Sequence, residues 1–391
     1  MPRLVYIFFL IFIAFTSSLL AGERQLRVAT FNIAMGFDTP GEMAAALQSG
    51  EHPRLLKLAG IVQRVRPDIL LLNEFDYDPS LDAAGLLNQN YLALGEAFIS
   101  YAYHFRGPVN TGVDSGLDLD GDGKTGDPGD AWGYGQFPGQ YGMLVLSRYP
   151  MLEDETRTFR NFPWSELPMA NQPGLPNGNP FYPGDTWNQL RLSSKSHWDI
   201  AFDVRGVELH LLAHHPTPPV FDGPENRNGL RNFDEIRFWK VYHQAADPEH
   251  PENAAWIRDD LGQSGGLDRD KPFVIAGDFN ADPFDGDSVP GAMQSLLEAD
   301  WLDASCEPAS EGGAEAAHEQ GGVNAQHRGD PALDTSDFND KYTGNLRLDY
   351  LLPSAGLTVT ACGVFWPAGD SPGHDLVDVS DHRMVWMDIR L

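Results

Sequence analysis

Short apolar runs rich in branched residues recur along the chain between turn-forming residues, which is typical of buried β-strands. Two segments instead repeat apolar residues at helical spacing: residues 55–65, and a stretch with Ile236 and Trp239 on a helix expected to begin near Asp234. Mixed strand and helix connections favour a pair of sheets covered by helices, an α+β arrangement, over one doubly wound sheet. The predicted strands are 26–31, 69–72, 143–146, 207–213, 273–276, 346–352 and 384–389.

Three long segments lack either pattern and are rich in glycine, proline and polar residues: 107–139, 161–185 and 307–345. Loops of that length are either functional or disordered. No internal repeat and no clear linker separates the rest. We therefore expect a single domain over residues 22–391, with these three segments as insertions.

The N-terminus has the layout of a secretory signal peptide, residues 1–21. Arg3 precedes an apolar run over 4–15, and the segment ends on the small residue Ala21. An uncleaved anchor is the alternative, although the run is shorter than the roughly 20 apolar residues that a span needs. No later stretch is apolar for long enough to span a bilayer. We expect a secreted or periplasmic protein that begins near Gly22 and has no stable membrane span after cleavage.

Composition narrows the function. The 391 residues carry 27 Lys and Arg against 56 Asp and Glu, a formal charge of −29, which excludes a broadly basic nucleic-acid surface. At 42% hydrophobic residues, the chain can fill a sizeable core. Its two cysteines, Cys306 and Cys362, exclude a disulfide-dense scaffold and a cysteine-rich zinc module. Whether they form one disulfide stays open.

Polar residues fall where the predicted strands begin or end. Each one alone has an ordinary structural explanation, such as a turn or a solvated strand end. Their joint occurrence is harder to explain that way, and a charge within an apolar strand is costly unless paired. The set comprises Asn32, Glu74, His214, His215, Asp278, Asn280, Asp381 and His382, together with Asp349 inside the run 346–352.

These residue types suit phosphate chemistry. Glu74 and Asp381 offer the hard oxygen ligands that Mg²⁺ or Mn²⁺ prefers, and such an ion leaves room for a phosphate oxygen. Asp278 is suited to orient or deprotonate a water molecule, and Asn280 to donate to a phosphate oxygen. The histidines supply the cationic, proton-donating side.

Seven segments resemble successive motifs of the endonuclease/exonuclease/phosphatase superfamily, in the family's order and over about residues 26–390. The resemblance implies a four-layer αββα sandwich of two mixed β-sheets flanked by helices, and a hydrolase that acts on phosphate esters. GDFN, RLDY and SDH together are the specific part of the signature. The segments are LRVATFN, DILLLNE, GMLVLSRYP, LLAHH, FVIAGDFN, RLDYLLPS and VSDHRMVWMDI.

The resemblance also implies roles. Asn32 and Glu74 are expected at the metal with Asp381 nearby, Asp278 as the base with Asn280 beside it, and Asp349 paired with His382. The carboxylate would raise the pKa of the imidazole and fix its tautomer.

The family's second histidine is assigned to His215 rather than to His214, because neighbours in a strand face opposite ways. Where some families carry N-x-D after the first strand, this chain has Asn32, Ile33 and Ala34, which puts a second metal site in doubt.

Basic and imidazole groups near His215 are weaker candidates for phosphate contacts. Ion pairs with the many carboxylates explain each of them equally well. They are Arg191, Lys195, His197 and Arg231, with His214 as a further substrate-binding candidate.

Residues 118–123 resemble the opening of a calcium loop, with Asp118, Asp120 and Asp122 at alternate positions and a glycine at the sixth. The twelfth position is a glycine, so the usual bidentate ligand is missing unless Asp127 or Asp130 replaces it. A structural Ca²⁺ site and a merely acidic surface loop both remain open.

The sequence thus predicts a secreted, divalent-metal-dependent phosphoesterase that hydrolyses P–O bonds by in-line attack of an activated water. Nuclease and phosphatase or phosphodiesterase activities are both open; nucleic acid is an allowed substrate, although the charge of −29 repels a polyanion at long range. The alternative is a non-catalytic, calcium-dependent binding protein on the same fold. No protein partner is implied.

Overall fold

Two mixed β-sheets lie face to face, and helices cover their outer sides. The computed structural model describes residues 25–391, so the predicted signal peptide lies outside the described residues. Within 25–391, no helix is both long and apolar enough to cross a bilayer.

The strands in chain order are β1 (Gln25–Met35), β2 (Ile69–Phe75), β3 (Tyr103–Phe105), β4 (Met143–Ser147), β5 (Arg157–Thr158), β6 (His197–Val204), β7 (Val207–His214), β8 (Phe273–Asp278), β9 (Ser336–Asp337), β10 (Asn345–Leu346), β11 (Asp349–Pro353), β12 (Thr358–Val364) and β13 (Val385–Arg390). The helices are α1 (Glu42–Ser49), α2 (Pro53–Val65), α3 (Ala83–Leu87), α4 (Gly184–Trp187), α5 (Arg227–Gln244), α6 (Gln294–Leu297) and α7 (Glu311–Gln320).

The first sheet has six strands in the order β12-β13-β1-β2-β4-β3, and the second has five in the order β11-β8-β7-β6-β5. Each sheet combines parallel and antiparallel pairs. Strand β1 pairs parallel with β2 and antiparallel with β13, and β8 pairs parallel with β7 and antiparallel with β11. Strands β9 and β10 form a separate two-stranded ladder. The predicted sandwich of two mixed sheets with flanking helices is confirmed.

Three apolar clusters hold these layers together. One lies between the first sheet and α1 to α3, one between the two sheets, and one between the second sheet and α5. Strand β1 contributes side chains to two of these clusters, because successive side chains face opposite sides of a strand. Leu26 and Val28 face the other sheet, whereas Ala29 and Phe31 face the helices. The same alternation places Asn32 on the side that faces the other sheet.

Strands β6 and β12 are absent from the sequence prediction, and two predicted elements have different bounds in the structure. The run 346–352 is divided, because Leu346 pairs with β9 whereas Asp349 begins β11 and pairs with β8. Helix α5 begins at Arg227, seven residues before the predicted start at Asp234. Its first half buries polar side chains, among them Asn232 and Asp234, so no apolar stripe marks it.

The three long segments contain local order that their composition does not indicate. Short 3₁₀-helices lie in the first two, at Pro128–Asp130 and Trp164–Glu166. The third segment contains α7 and β9, and it begins one residue after Cys306, which forms a disulfide with Cys362 of β12.

Loss of this disulfide is expected to lower the free energy of unfolding. The bridge joins cysteines 56 positions apart, and closing a loop of that length reduces unfolded-chain entropy by about 4 kcal/mol in the chain-entropy treatment. Urea unfolding of the oxidised protein and of the Cys306→Ser/Cys362→Ser variant measures the difference. As a control, a reductant should change the unfolding of the oxidised protein and leave that of the variant unchanged. Equal midpoints would contradict the expectation.

Candidate active site

Polar side chains converge where the apolar layer between the two sheets ends. In β8, Val274 and Ala276 face the other sheet, so Asp278 at the end of the strand faces the same way. In β11, Leu351 does so, and Asp349 follows by the same alternation. Both aspartates therefore lie opposite Asn32 of β1, in the space between the sheets.

The amide of Asn32 links the two sheets. Its Nδ2 donates to Oε1 of Glu74 at 3.2 Å and to Oδ2 of Asp278 at 2.9 Å, and its Oδ1 accepts from the Ala34 N–H at 2.9 Å. Asn32, predicted at the metal, thus presents its NH₂ group to two carboxylates. One amide holds two negative groups from different sheets within its reach.

The backbone at the strand ends is unusual. Glu74 and Asn280 have φ of 57° and 51°, in the left-handed region that residues with a Cβ seldom adopt. Gly277, before Asp278, approaches β7 so closely that a Cβ would lie 2.0 Å from the carbonyl oxygen of His214. A glycine is therefore required in the GDFN motif. These local conformations present the side chains of Glu74, Asp278 and Asn280 at one place.

Asp278 and Asp349 are directly opposite each other in the β8–β11 ladder, an arrangement that is unfavourable for two like charges. His382 lies against both of them. Its Nδ1 is 2.8 Å from Oδ2 of Asp349, and its Nε2 is 3.8 Å from Oδ2 of Asp278. Burial opposes the charged imidazole, but Asp349, Asp278 and Asp381 outweigh burial and raise the pKa of His382 to about 10. The imidazole is thus a cation between two buried carboxyl groups.

Asp278 has further partners. The main-chain N–H of Asn280 donates to its Oδ1 at 2.8 Å, and Nε2 of His215 lies 3.4 Å from its Oδ2. Burial raises the pKa of Asp278 to about 6 against the opposing effect of His382, so the group is mainly ionised at neutral pH. Burial, then the charge of Lys195, lowers the pKa of His215. Asp278 therefore contacts one neutral and one charged imidazole.

Burial and nearby charges act in opposite directions on the carboxyl group of Glu74. Burial raises its pKa, while His382, the Asn32 hydrogen bond and Lys195 act in the opposite direction. Glu74 and Asp381 both attract the guanidinium of Arg54. Glu74 and Asp381 are hard oxygen donors of the kind that a divalent ion such as Mg²⁺ prefers.

In the part of the chain that the structure describes, the groups of three side chains that lie close enough together to share a metal ion do not include Glu74 or Asp381. Within residues 25–391, clusters of three donors that approach one another within 4.8 Å occur at Asp278, Asp349 and His382, and at three aspartates of the 107–139 segment. Among residues 25–391, Glu74 and Asp381 form no such group of three. The first cluster is already bonded internally through His382, so its geometry fits a charge-paired catalytic group.

Several residues that position the site carry no sequence signal of that role. Thr335, from the third long segment, donates through Oγ1 to Oδ2 of Asp349 at 2.9 Å, and it accepts from the Asp349 N–H at 2.9 Å. Arg54 of α2 donates to the carbonyl of Ile33 at 2.9 Å. Ser380 donates to the carbonyl of Asn32 at 2.8 Å. Together they hold β1, β11 and the 380–382 segment in register.

Helix α5 holds two loops beside Asp278. The buried carboxylate of Glu235 accepts from the N–H of Ser194 at 2.7 Å and from the N–H of Thr217 at 2.6 Å. The next residue after Ser194 is Lys195, whose buried Nζ lies 3.5 Å from the carbonyl of Pro216. Asn280 donates to that same carbonyl at 3.1 Å. This arrangement places Lys195 in electrostatic contact with Glu74 and Asp278.

The other weak candidates lie within internal contacts. Arg231 donates to the carbonyls of Leu192 and Trp132. Arg191 bonds to Oδ1 of Asn110 at 2.6 Å and its guanidinium lies 4.7 Å from the ring centre of Trp132. His197 bonds to Ser193 and to the carbonyl of Glu235, and His214 packs edge-on against Phe279 with no hydrogen-bond partner. These four side chains form part of the packing around α5.

The sequence profile of the Endonuclease/Exonuclease/phosphatase family matches residues 29–382. No curated protein matches the chain. Among solved structures, an endonuclease/exonuclease/phosphatase from Beutenbergia cavernae DSM 12333 is 20% identical, with a TM-score of 0.52 over 94% of this chain and 72% of that chain.

Two further structures are more distant. A family protein from Leptotrichia buccalis C-1013-b is 14% identical, with a TM-score of 0.45 over 93% of this chain and 98% of that one. A family protein from Bacteroides thetaiotaomicron is 13% identical, with a TM-score of 0.47 over 94% and 98%.

The fold and the family match assign this protein to a class of phosphate-ester hydrolases that are built on two packed β-sheets. The chain belongs to the endonuclease/exonuclease/phosphatase family, whose members hydrolyse phosphate esters.

His197 and His382 are expected to have opposite pKa shifts and therefore different charges at neutral pH. Burial lowers the pKa of His197 to about 4, whereas the flanking carboxyl groups raise that of His382 to about 10. NMR titration of labelled imidazoles should therefore show a neutral ring for His197 and a charged ring for His382 at pH 7. In Asp349→Asn, the pKa of His382 should fall while that of His197 stays unchanged. A charged His197 at pH 7 would instead support its predicted role as a phosphate contact.

Proposed function

We propose that this protein is a divalent-metal-dependent hydrolase of phosphate esters, in which Asp278 orients and deprotonates the attacking water. The observation that carries the proposal is the position of Asp278, which lies within reach of Asn32, His215 and His382 at once. A non-catalytic binding protein has no need for a carboxylate surrounded by two imidazoles and an amide that also reaches Glu74. The alternative of a calcium-dependent binding protein is therefore not favoured.

Different side chains of this protein have different roles in the proposed reaction. Asp278 is mainly a carboxylate at neutral pH and accepts the proton of a water held beside it. His382, charged by its pairing with Asp349, stabilises the negative charge that develops on the phosphoryl oxygens. Burial lowers the pKa of Lys195, whose Nζ is a further hydrogen-bond donor in the same region. Asn280 has its amide directed to the carbonyl of Pro216, which places it beside the same carboxylate.

A metal ion completes this proposal. When bound, a divalent cation polarises the P–O bond and offsets charge on the phosphoryl group. Glu74 and Asp381 would hold it, with Asn32 fixing the orientation of Glu74 through its amide. Mg²⁺ or Mn²⁺ suits this oxygen donor set.

Charge favours a small or weakly charged ester over nucleic acid as the substrate. The chain carries a formal charge of −29, and long-range repulsion slows the approach of a polyanion. The cations around the site, Lys195, Arg54 and His382, lie close to carboxylates rather than on an extended basic surface. A phosphodiester or phosphomonoester of low charge therefore suits the protein better than DNA.

The proposed location is outside the cytoplasm. The apolar segment after Arg3 supports it, as does the disulfide between Cys306 and Cys362, since disulfides persist in oxidising compartments. Fractionation of cells expressing the full chain, followed by mass spectrometry of its N-terminus, tests this location and cleavage near Gly22.

Substitution of the central carboxylate is expected to abolish most of the activity. Asp278→Asn keeps the shape of the side chain and removes its basicity, so kcat should fall by about 10²–10⁴-fold. Release of p-nitrophenol from a bis-nitrophenyl diester and from p-nitrophenyl phosphate, with Mg²⁺, Mn²⁺ or EDTA, measures the effect. A plasmid-cleavage assay runs alongside.

A matched control for that experiment is Asp203→Asn, since Asp203 lies on β6, away from the site. The control should retain wild-type kcat, and EDTA should remove the activity of the wild type and of the control. Wild-type rates in Asp278→Asn would refute the site assignment. Cleavage of plasmid DNA in preference to both nitrophenyl esters would refute the substrate preference and leave the catalytic assignment intact.

The pH profile of kcat/KM should be bell-shaped. Activity requires ionised Asp278, so it should rise as the pH increases through about 6, and it requires charged His382, so it should decline above about 10. In Asp349→Asn the alkaline limb should move to lower pH, because the strongest partner that raises the pKa of His382 is gone. An alkaline limb unchanged in that variant would contradict the assignment.

A further inference from the structure

The segment between β3 and β4 contains a second cluster of carboxylates, outside the proposed active site. Asp118, Asp120 and Asp130 each present one carboxylate oxygen, and these three oxygens lie within 4.8 Å of one another. Three negative charges at this separation repel one another strongly unless a cation lies among them.

Asp130 provides an independent indication of a ligand. Its side chain is fully buried, with 0% exposure. Oδ1 accepts from the N–H of Leu119 at 2.8 Å, whereas Oδ2 is buried with no hydrogen-bond partner. Burying a carboxylate oxygen without a partner is costly, and a bound cation removes that cost.

The loop is already folded around these oxygens. Asp118 accepts from the N–H groups of Gly121 and Gly123 at 2.8 and 3.0 Å. Asp120 uses Oδ1 to accept from Asp122 at 3.0 Å, and its Oδ2 lies where a side chain on Gly129 would collide with it. The glycine before Asp130 thus gives Asp120 access to the cluster.

We propose that Asp118, Asp120 and Asp130 bind a structural Ca²⁺ ion. All three donors are hard carboxylate oxygens, without the imidazole or thiolate that zinc selects. Ca²⁺ accepts irregular sets of six to eight oxygens, whereas Mg²⁺ requires near-octahedral geometry, so an irregular loop that presents three carboxylates favours calcium.

This assignment changes the ligand set expected from the sequence. Asp122 is exposed and forms an ion pair with Lys124 at 3.0 Å. Asp127 accepts from the N–H of Gly129 at 2.7 Å and so caps the short helix that ends at Asp130. Asp130 takes the place of both in the cluster.

The ion would stabilise a segment that also contacts Lys195. Around the cluster, the N–H of Ser115 donates to the carbonyl of Asp130 at 3.2 Å, and that of Trp132 donates to Val113 at 2.9 Å. Further back, the N–H of Asn110 donates to the carbonyl of Lys195 at 3.0 Å. The ion therefore supports the fold near the site without touching substrate.

Thermal unfolding of the purified, EDTA-treated protein with added CaCl₂ or MgCl₂ tests the proposal, with calorimetric titration of CaCl₂ for affinity. At about 100 times Kd, Ca²⁺ should raise Tm by about 3 °C. The Asp130→Asn variant should lose this shift and bind Ca²⁺ at least about tenfold more weakly, and without Ca²⁺ its Tm should equal or exceed that of wild type because one repelling charge is gone.

Two controls separate the sites. Asp122→Asn, in the same loop, and Glu74→Gln, at the proposed catalytic metal, should both keep the Ca²⁺-dependent shift. A shift retained in Asp130→Asn but lost in Glu74→Gln would place the ion at the active site and overturn the proposal, as would no shift in wild type. If Asp130→Asn fails to fold, Asp118→Asn/Asp120→Asn takes its place with the same expected loss. Because the readout is unfolding and binding, the result is independent of the proposed activity.

Discussion

The charge of His382 is the interaction on which the arrangement of the site depends. Strands β8 and β11 place Asp278 and Asp349 directly opposite each other, and both side chains are buried. Two ionised carboxylates in that position would separate the strands unless a cation lay against them. The imidazolium supplies that cation, and the hydroxyl of Thr335 donates to the same oxygen of Asp349. The pairing of β8 with β11 and the proposed chemistry thus both depend on the imidazole ring of His382.

The sheet scaffold could be predicted because its pattern is local. Short apolar runs with polar ends mark β1, β2, β7 and β8, and the motifs that carry the family resemblance lie on them. Successive side chains of a strand face opposite ways, which explains why Asn32, Asp278 and Asp349 meet between the sheets. The preference for His215 over His214 follows from the same rule, and the structure places His215 beside Asp278 and His214 among aromatic rings.

Features that depend on main-chain partners or on buried polar groups could not be predicted in this way. The start of α5 is hidden because Asn232 and Glu235 are buried by hydrogen bonds to distant loops, which leaves no apolar periodicity. Thr335 lies in a segment whose composition indicates only a loop, yet it bonds to Asp349. In the acidic loop, spacing alone identifies Asp118 and Asp120, but it cannot tell that Asp122 pairs with Lys124 while Asp130 is buried.

The two hydrogen bonds of Glu235 affect how the enzyme binds its substrate. Because one carboxylate accepts from both Ser194 and Thr217, the chain segments bearing Lys195 and His215 are tied to a single point on a rigid helix. Neither segment can move outward alone without leaving a buried carboxylate oxygen without its hydrogen bond. Lys195 and His215 are therefore held in place before a ligand arrives, and little conformational entropy is lost on binding.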